Sequence, residues 1–188
     1  MNLLDSIKER TKEDHQSVEK VLITELKSLS SMEQYGHLLE RLYAFYKPLE
    51  DEIQLAIDTT FISDISARKH TERLLQDIHA IHASFKPDTT FNPLSISSTS
   101  YALGILYVIE GSTLGGQIIV KMLDKQLSVT SVGAHTYFDS YSEETQKMWT
   151  SFKDSMLKIE ATINEEEMIR GAKETFSALQ SHLTQTKS

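Results

Sequence analysis

The chain has 188 residues, a net charge of −8 at pH 7 and no cysteine. This length suits one domain with its own hydrophobic core, and 39 % apolar residues place the chain among globular rather than disordered proteins. The absence of cysteine excludes disulfide scaffolds, cysteine nucleophiles, Cys-ligated zinc and iron–sulfur clusters. The acidic surplus disfavours nucleic-acid binding, because nucleic-acid-binding proteins usually carry a basic surplus.

The amino terminus and the apolar runs predict a cytoplasmic protein without membrane contact. The opening stretch MNLLDSIKERTKEDHQ carries its first charge at Asp5, which is unlike a signal peptide. The longest apolar run lies near residues 101–109. It is shorter than the roughly 20 residues that a spanning helix needs.

Helical periodicity governs the first half of the chain. An apolar stripe over residues 4–22 predicts a first helix. Ser31 followed by Gln34 is a capping-box pattern, which predicts that a second helix starts there and runs to about Ile57. A third helix is predicted over about residues 65–83.

The second half predicts further helices separated by looser segments. A loop is expected at residues 88–95, then a glycine-bearing helix over about 98–126, then a looser segment at 128–141. Ser142 is predicted to cap the next helix and Asn164 the last one, since acidic residues follow both. We therefore expect a single all-α domain over residues 1–188, with six or seven helices.

Four side chains of the first predicted helix are spaced so that they could act together in binding a ligand. Lys8, Lys12, His15 and Glu19 follow each other at offsets of four, three and four, so they share one helix face. Glu19 could accept a hydrogen bond from one ring nitrogen of His15 and leave the other free to bind a metal. Spacing alone favours an ordinary solvated face. The remaining histidines show weaker patterns: His79 and His82 as a lone i,i+3 pair, and His37, His70, His135 and His182 with no partner pattern.

The glycine-bearing helix, YALGILYVIEGSTLGGQIIVKML, raises a question of cost. Gly111, Gly115 and Gly116, with Ser112 among them, lie within six positions, and each interior glycine costs about 1 kcal/mol relative to alanine. They form a strip without side chains that allows either another helix or a flat ligand to contact the backbone. The helix could also bend there. Gly104 lies elsewhere around this helix and is assigned no role.

Four stretches together resemble the heme oxygenases, in particular the short bacterial forms that produce biliverdin. They are TKEDHQSVE at 11–19, LYAFYKPLEDEI at 42–53, EGSTLGGQ at 110–117 and GAKETFSAL at 171–179. They keep the order of the family and spread over nearly the whole chain. The resemblance implies the family's all-α bundle.

The resemblance also implies roles for individual residues. His15 would be the axial iron ligand and Glu19 its hydrogen-bond partner. The distal face would be covered by the glycine helix. The other implied contacts with heme are Lys8, Lys12 and Lys153 near the propionates, Tyr43 from the second helix, Phe176 as a pocket wall, and Gly111, Ser112, Gly115 and Gly116 on the distal side. The implied activity is heme oxygenase, with heme as substrate and cofactor, O2, and external electrons from a ferredoxin or flavoprotein reductase. A bilin-accepting protein is a further expected partner.

The sequence departs from the family pattern at two places. Ser112 stands where mammalian-type members carry an aspartate, although the bacterial subgroup also lacks a carboxylate there. Leu157 stands where an arginine is usual, and Lys158 next to it is turned by about 100° around the helix.

Other functions remain open at this point. A thiaminase-like protein on a similar bundle would usually need a cysteine nucleophile, and a di-iron carboxylate bundle would need Glu-x-x-His motifs. The chain has no cysteine, and no acidic residue stands three positions before any of its seven histidines. A non-catalytic heme carrier or sensor and a helical interaction module are the remaining alternatives.

Overall fold

The computed structural model describes residues 2–88 and 92–185, so the part of the predicted loop at 89–91 lies outside the described residues. Within the described ranges the regular elements are helices and no strand occurs, which confirms the predicted all-α class. The α-helices are α1 (Leu3–Arg10), α2 (Lys12–Ser28), α3 (Met32–Ala56), α4 (Thr71–Ile81), α5 (Thr99–Ser112), α6 (Gly116–Leu127), α7 (Thr136–Asp139), α8 (Thr145–Lys158) and α9 (Glu165–Gln185).

The single first helix predicted from the apolar stripe is two helices, α1 and α2, with a break at Thr11. Thr11 has φ −111° and ψ 3°, outside helical values. Its hydroxyl donates to the carbonyl of Ile7 at 2.7 Å, a local bond that competes with regular helix geometry. Lys8 therefore belongs to α1, whereas Lys12, His15 and Glu19 belong to α2.

The start of α3 confirms the predicted capping position. Ser31 Oγ accepts a hydrogen bond from the Gln34 amide at 3.2 Å. Gln34 Oε1 accepts from the amide of Ser30 at 2.8 Å, one residue earlier than a standard capping box requires. The helix ends at Ala56, one residue before the predicted end, and contains Pro48.

The predicted third helix starts too early. Residues Ile65–Ala67 form a 3-10 turn, and α4 begins only at Thr71. The buried carboxylate of Glu50, from α3, accepts hydrogen bonds from the amides of His70 at 2.6 Å and Thr71 at 3.0 Å. A carboxylate at this position satisfies the unpaired first amides of a helix and complements its dipole. The start of α4 thus depends on a tertiary contact.

Asp77 of α4 plays a similar role for α7, which lies inside the looser segment at 128–141. Its carboxylate accepts from the amides of Thr136 at 3.0 Å and Tyr137 at 2.9 Å. The cap predicted at Ser142 is wrong, because Ser142 has φ 53° and begins a 3-10 turn before α8. The cap predicted at Asn164 is present, since its Oδ1 accepts from the Glu167 amide at 3.1 Å.

The predicted glycine helix consists of α5, a 3-10 turn at Thr113–Gly115 and α6, so the regular α-helix is interrupted at the glycines. Residues 111–116 around this interruption are called the bend. This stretch, Thr99–Leu127, is the one helix of the described residues that is long and apolar enough to cross a membrane by length and composition. Its span is longer than the apolar run suggested. Half of its apolar window, however, is buried inside the fold, as is common for a core helix.

Helix α5 lies in the centre of the core and crosses α9 closely. A Cβ built on Gly104 would lie 2.0 Å from the carbonyl oxygen of Met168. A Cβ built on Gly171 would lie 2.2 Å from the carbonyl oxygen of Tyr101. Two glycines, one on each helix, therefore allow the backbones to touch, which gives Gly104 the packing role that the sequence left unassigned.

Candidate functional site

A small cavity of about 60 Å³ lies beside the bend between α5 and α6. Its lining comes from α2, α3, α7 and α9, from both sides of the bend, and from His70 just before α4. The residues that line it are Leu22, Leu42, Tyr46, His70, Ile109, Ser112, Thr113, Gly116, Ile119, Tyr137, Phe138 and Leu179. Helices distant in sequence thus meet at the predicted distal segment.

His15 lies on α2 at the contact with α9. Its imidazole is edge-on to the ring of Phe176, with centroids 5.7 Å apart and planes at 61°. Leu22, which lines the cavity, is seven residues further along the same face of α2, a distance of about 10 Å. Leu179 of the lining is one turn beyond Phe176 on α9. His15 and Phe176 are therefore paired outside the cavity: His15 is two helical turns and Phe176 one turn from the nearest lining residue on the same helix.

The polar residues predicted around His15 are exposed on α1 and α2. No hydrogen bond joins Glu19 to His15 in the part of the chain that the structure describes, so the predicted orienting contact is absent. Lys8 and Lys12 likewise form no ion pair with any described residue. The two cations are consequently available to an anionic ligand.

Two glycines of the bend, neither of which lines the cavity, are not required by packing. A Cβ built on Gly115 would have no heavy atom within 4 Å. A Cβ built on Gly111 would meet the Trp149 ring at 3.8 Å, an ordinary van der Waals distance. Ser112, between them, donates its hydroxyl to the carbonyl of Ile109 at 2.6 Å. Protein packing therefore does not require a backbone without side chains at Gly111 and Gly115.

Gly116 is different, and here the sequence interpretation needs correction. All three glycines were expected to serve one flat ligand. A Cβ on Gly116 would lie 1.8 Å from the carbonyl oxygen of Phe138, so α7 requires the missing side chain. Gly116 still borders the cavity, but its backbone packs against protein.

Comparison with known proteins identifies the family. The family model described as heme oxygenase matches residues 1–185. The chain belongs to the heme oxygenase family. It is an enzyme family of heme degradation, with heme as substrate. A protein named heme oxygenase from Xanthomonas campestris pv. campestris (strain 8004) is 26 % identical over 144 residues, which cover 76 % of this chain and 84 % of that protein.

A solved structure supports the fold of the family. The heme oxygenase from Leptospira interrogans superposes with a TM-score of 0.78, at 16 % sequence identity. The match covers 98 % of this chain and 99 % of that one. At this low identity the likeness concerns the fold alone.

The described residues fit the group that a heme oxygenase binds. An imidazole without a described hydrogen-bond partner lies against an aromatic ring, and two lysines on α1 and α2 lack ion pairs. The Gly115 backbone is exposed and meets no protein atom at its Cβ position. In heme, the iron takes an imidazole ligand, the propionates pair with ammonium groups, and the flat macrocycle needs a surface without bulky side chains.

Lys153 lies on α8 near the predicted distal segment. Its Nζ is 5.9 Å from the centroid of Trp149, the ring that covers Gly111. Leu157, at the place of the usual arginine, is exposed, and Lys158 borders a shallow polar groove on the outer face of α8. Lys153 is thus close to the ring that neighbours Gly111, although neither Lys153 nor Trp149 lines the cavity.

Of Tyr43 and Tyr46 on α3, only Tyr46 lines the cavity. Tyr43, which the resemblance placed at the heme, packs against Phe85 with ring centroids 6.3 Å apart and does not line the cavity. Tyr46, one turn later, does line it and is bonded through its hydroxyl to Tyr137. Burial raises the pKa of Tyr46 to about 12, so this hydroxyl keeps its proton.

A buried polar network next to the cavity escaped the sequence reasoning, which gave His70 no partner. His70 Nε2 lies 2.8 Å from Glu110 Oε1, and the Tyr141 hydroxyl donates to the same oxygen at 2.9 Å. Arg68 donates to the other oxygen of Glu110 and forms two bonds of 2.8 Å with Asp64. The available signal was Glu110 itself, because an acid that ends an apolar run must find partners when it is buried.

Proposed function

We propose that this protein cleaves heme to biliverdin, carbon monoxide and Fe²⁺, with O2 and external electrons. His15 holds the iron from α2, and Gly111 and Gly115 cover the opposite face. The observation that carries the proposal is the bare backbone at Gly115, where no protein atom lies within 4 Å of the Cβ position. A glycine at this position lowers helix stability relative to alanine, and no close contact with the protein requires it. Contact with a ligand explains the glycine better than helix packing does.

The proximal side needs a neutral imidazole of fixed orientation. Phe176 contacts the His15 ring edge-on and limits its rotation. No described hydrogen bond occupies a ring nitrogen of His15, so either nitrogen is free to bind iron. When bound, heme supplies the iron that binds O2 and the porphyrin edge that is oxidised.

Three lysines orient the macrocycle in the site. Lys8 and Lys12 lie on α1 and α2 near His15 in sequence, and Lys153 lies on α8 by Trp149. Carboxylates of heme propionates pair with ammonium groups, and the three lysines have no described acid to compete for them. This pairing fixes which edge of the macrocycle faces the bend.

The distal side controls space and protons. Backbone at Gly111 and Gly115 leaves room for a diatomic ligand and excludes bulky side chains. Ser112 has its proton committed to Ile109, so its oxygen is an acceptor for ordered water. Water held there would carry protons to the reacting oxygen in place of the aspartate that mammalian-type members use.

Heme entry requires movement of the bend. The cavity of about 60 Å³ holds little more than a solvent molecule or two and is far smaller than a macrocycle. Helix α6 is attached to α7 through Gly116, and α5 is anchored through Glu110. Residues between them, around the 3-10 turn, are free to shift because Gly111 and Gly115 are not packed tightly.

The expected setting is cytoplasmic. A ferredoxin or flavoprotein reductase supplies the electrons, and a bilin-accepting protein takes the product. A chemical reductant can also supply the electrons in vitro, and turnover can be measured without the bilin-accepting protein.

The experiment is a reductant assay on the heme-loaded protein. Hemin is added to the full chain, followed by ascorbate or by ferredoxin with its reductase, and the absorbance spectrum is followed. Loss of the Soret band with growth of biliverdin absorbance is the expected result. A Soret band that persists under both reductants would indicate a heme carrier or sensor, and no Soret shift on addition of hemin would refute heme binding altogether.

A further inference from the structure

We propose that His37, Glu40 and His82 form a binding site for a divalent transition-metal ion, with Zn²⁺ as the representative ligand. This site is separate from the heme site. It lies where the carboxyl end of α4 meets the outer face of α3. One potential ligand atom from each of the three side chains lies within 4.8 Å of the others.

The distances between the potential ligand atoms are close to those in a metal coordination sphere. Glu40 Oε1 is 2.7 Å from His82 Nδ1, and Glu40 Oε2 is 3.1 Å from His37 Nδ1. Zinc bonds of about 2.0–2.1 Å to nitrogen and oxygen place tetrahedral ligand atoms about 3.3 Å apart. The two imidazole rings are 5.0 Å apart between centroids. Small side-chain rotations therefore admit an ion between the three groups.

The chemistry of the donors selects the metal class. Two imidazoles and one carboxylate suit Zn²⁺ and its first-row neighbours, whereas Ca²⁺ and Mg²⁺ prefer oxygen ligands alone. The carboxylate also gives the site a negative charge, and the protein carries a net charge of −8. His37 is 61 % exposed, so a fourth position is open to solvent.

Gly36 of α3 leaves the space that the His82 imidazole occupies. Gly36 lies in the interior of α3, where glycine costs about 1 kcal/mol relative to alanine. A Cβ on Gly36 would lie 2.6 Å from His82 Cε1 and 3.0 Å from both ring nitrogens. The missing side chain thus lets the ring lie on the helix beside His37 and Glu40. His82 is only 23 % exposed, although it follows the last residue of α4.

The sequence could not show this site, because its ligands come from two helices. His79 and His82 are a lone i,i+3 pair whose spacing could chelate an ion, although such pairs are more often ordinary surface residues. In the structure His79 Nε2 contacts the carbonyl of Phe85 at 3.3 Å, and His82 turns to Glu40 instead. The spacing His37 to Glu40, i and i+3 on α3, supplies the other two ligands.

The test is Zn²⁺ binding by the untagged full-length chain, without heme, by calorimetry against a competing chelator of known affinity. One Zn²⁺ per chain is expected. His82→Gln and His37→Gln should each weaken the binding by at least about tenfold, since even outer-shell partners of metal ligands contribute that much. The matched control, His79→Gln, removes a neighbouring histidine outside the site and should bind Zn²⁺ as the wild type does.

A second measurement guards against a fold defect in the variants. In the wild-type protein, Zn²⁺ should shift the imidazole NMR signals of His37 and His82 and raise the melting temperature, because a ligand of the folded state stabilises it. His15→Ala should keep both effects, which separates this site from the heme site. Wild-type protein without these shifts, or His82→Gln with undiminished affinity, would refute the proposal.

Discussion

His70 Nε2 lies 2.8 Å from Glu110 Oε1, and this buried contact joins the amino end of α4 to the last turns of α5. Glu110 directly precedes Gly111, so the network anchors the bend on its amino side. On its carboxyl side, Gly116 packs against the backbone of Phe138. The bend is therefore held at both ends, while a side chain at Gly111 or Gly115 between them would meet no clash with the protein.

Glu110→Ala should destabilise the protein strongly. It removes one of the two carboxylates that pair with the buried guanidinium of Arg68, which keeps Asp64 and the Met148 carbonyl, and it removes the acceptor of His70 and Tyr141. Removal of one partner from a buried ion pair typically costs about 3–5 kcal/mol of the free energy of unfolding. Urea denaturation followed by circular dichroism measures it.

The matched control is Glu166→Ala, which breaks the exposed ion pair with Arg10. Its denaturation midpoint should stay at the wild-type value, since exposed pairs contribute little. Equal losses in Glu110→Ala and Glu166→Ala would contradict the role assigned to the buried network.

The glycines of α5 and the bend should respond in opposite ways to alanine. Gly104→Ala forces a methyl group against the Met168 carbonyl, and the resulting separation of α5 from α9 should cost about 1–3 kcal/mol of stability. Gly115→Ala meets no atom and should leave stability unchanged or raise it by up to about 1 kcal/mol. Thermal and urea unfolding compare the two. A stable Gly104→Ala variant would show that the helices do not touch there.

Gly115→Leu separates the packing of the bend from its role in catalysis. Without heme, the larger side chain has space and the melting temperature should stay within a few degrees of the wild type. With hemin, it should weaken heme affinity or suppress the formation of biliverdin. Normal turnover by a Gly115→Leu protein would mean that this backbone does not lie over the iron.

Helix α3 and the cap of α9 were predictable from sequence because their signals are local. Ser31 with Gln34, and Asn164 with the acids after it, bond within a few residues of themselves. The start of α4 was not predictable, since Glu50 from α3 provides its cap. A side chain twenty residues away leaves no mark in the local pattern.

In the candidate site, too, features with a local sequence signal were predictable and features that depend on tertiary contacts were not. His15 and Phe176 were named from motifs in separate helices, and the structure brings their rings together. Gly116 could not be told from Gly115 in the sequence, because only the position of Phe138 distinguishes them. His70 seemed unpartnered for a similar reason: Glu110, its partner, is forty residues away.

His182 should give the fold a pH dependence. Burial lowers its pKa from the ordinary 6.5, so the folded protein holds it neutral where the unfolded chain takes up a proton. Its contribution is complete above about pH 6.5 and is lost as the pH falls towards the folded-state pKa. The Nε2 hydrogen donates to the Arg41 carbonyl at 2.9 Å, a bond that a glutamine amide can imitate. His182→Gln should therefore lose less stability than the wild type between about pH 7.5 and 5.5, as measured by urea denaturation. Equal losses in both proteins would assign the pH dependence to other groups.

His15→Ala should abolish histidine ligation of bound heme. The substitution removes the imidazole that faces Phe176 and leaves the lysines and the bend in place, so hemin should still bind, with lower affinity and without the spectrum of a histidine-ligated iron. Added imidazole should restore that spectrum, because the space of the lost ring stays open on an exposed helix face. His79→Ala, which removes an exposed histidine of α4, is the control and should keep the wild-type spectrum. An unchanged spectrum in His15→Ala would place the iron ligand elsewhere, and the bare backbone at Gly115 would then need a different explanation.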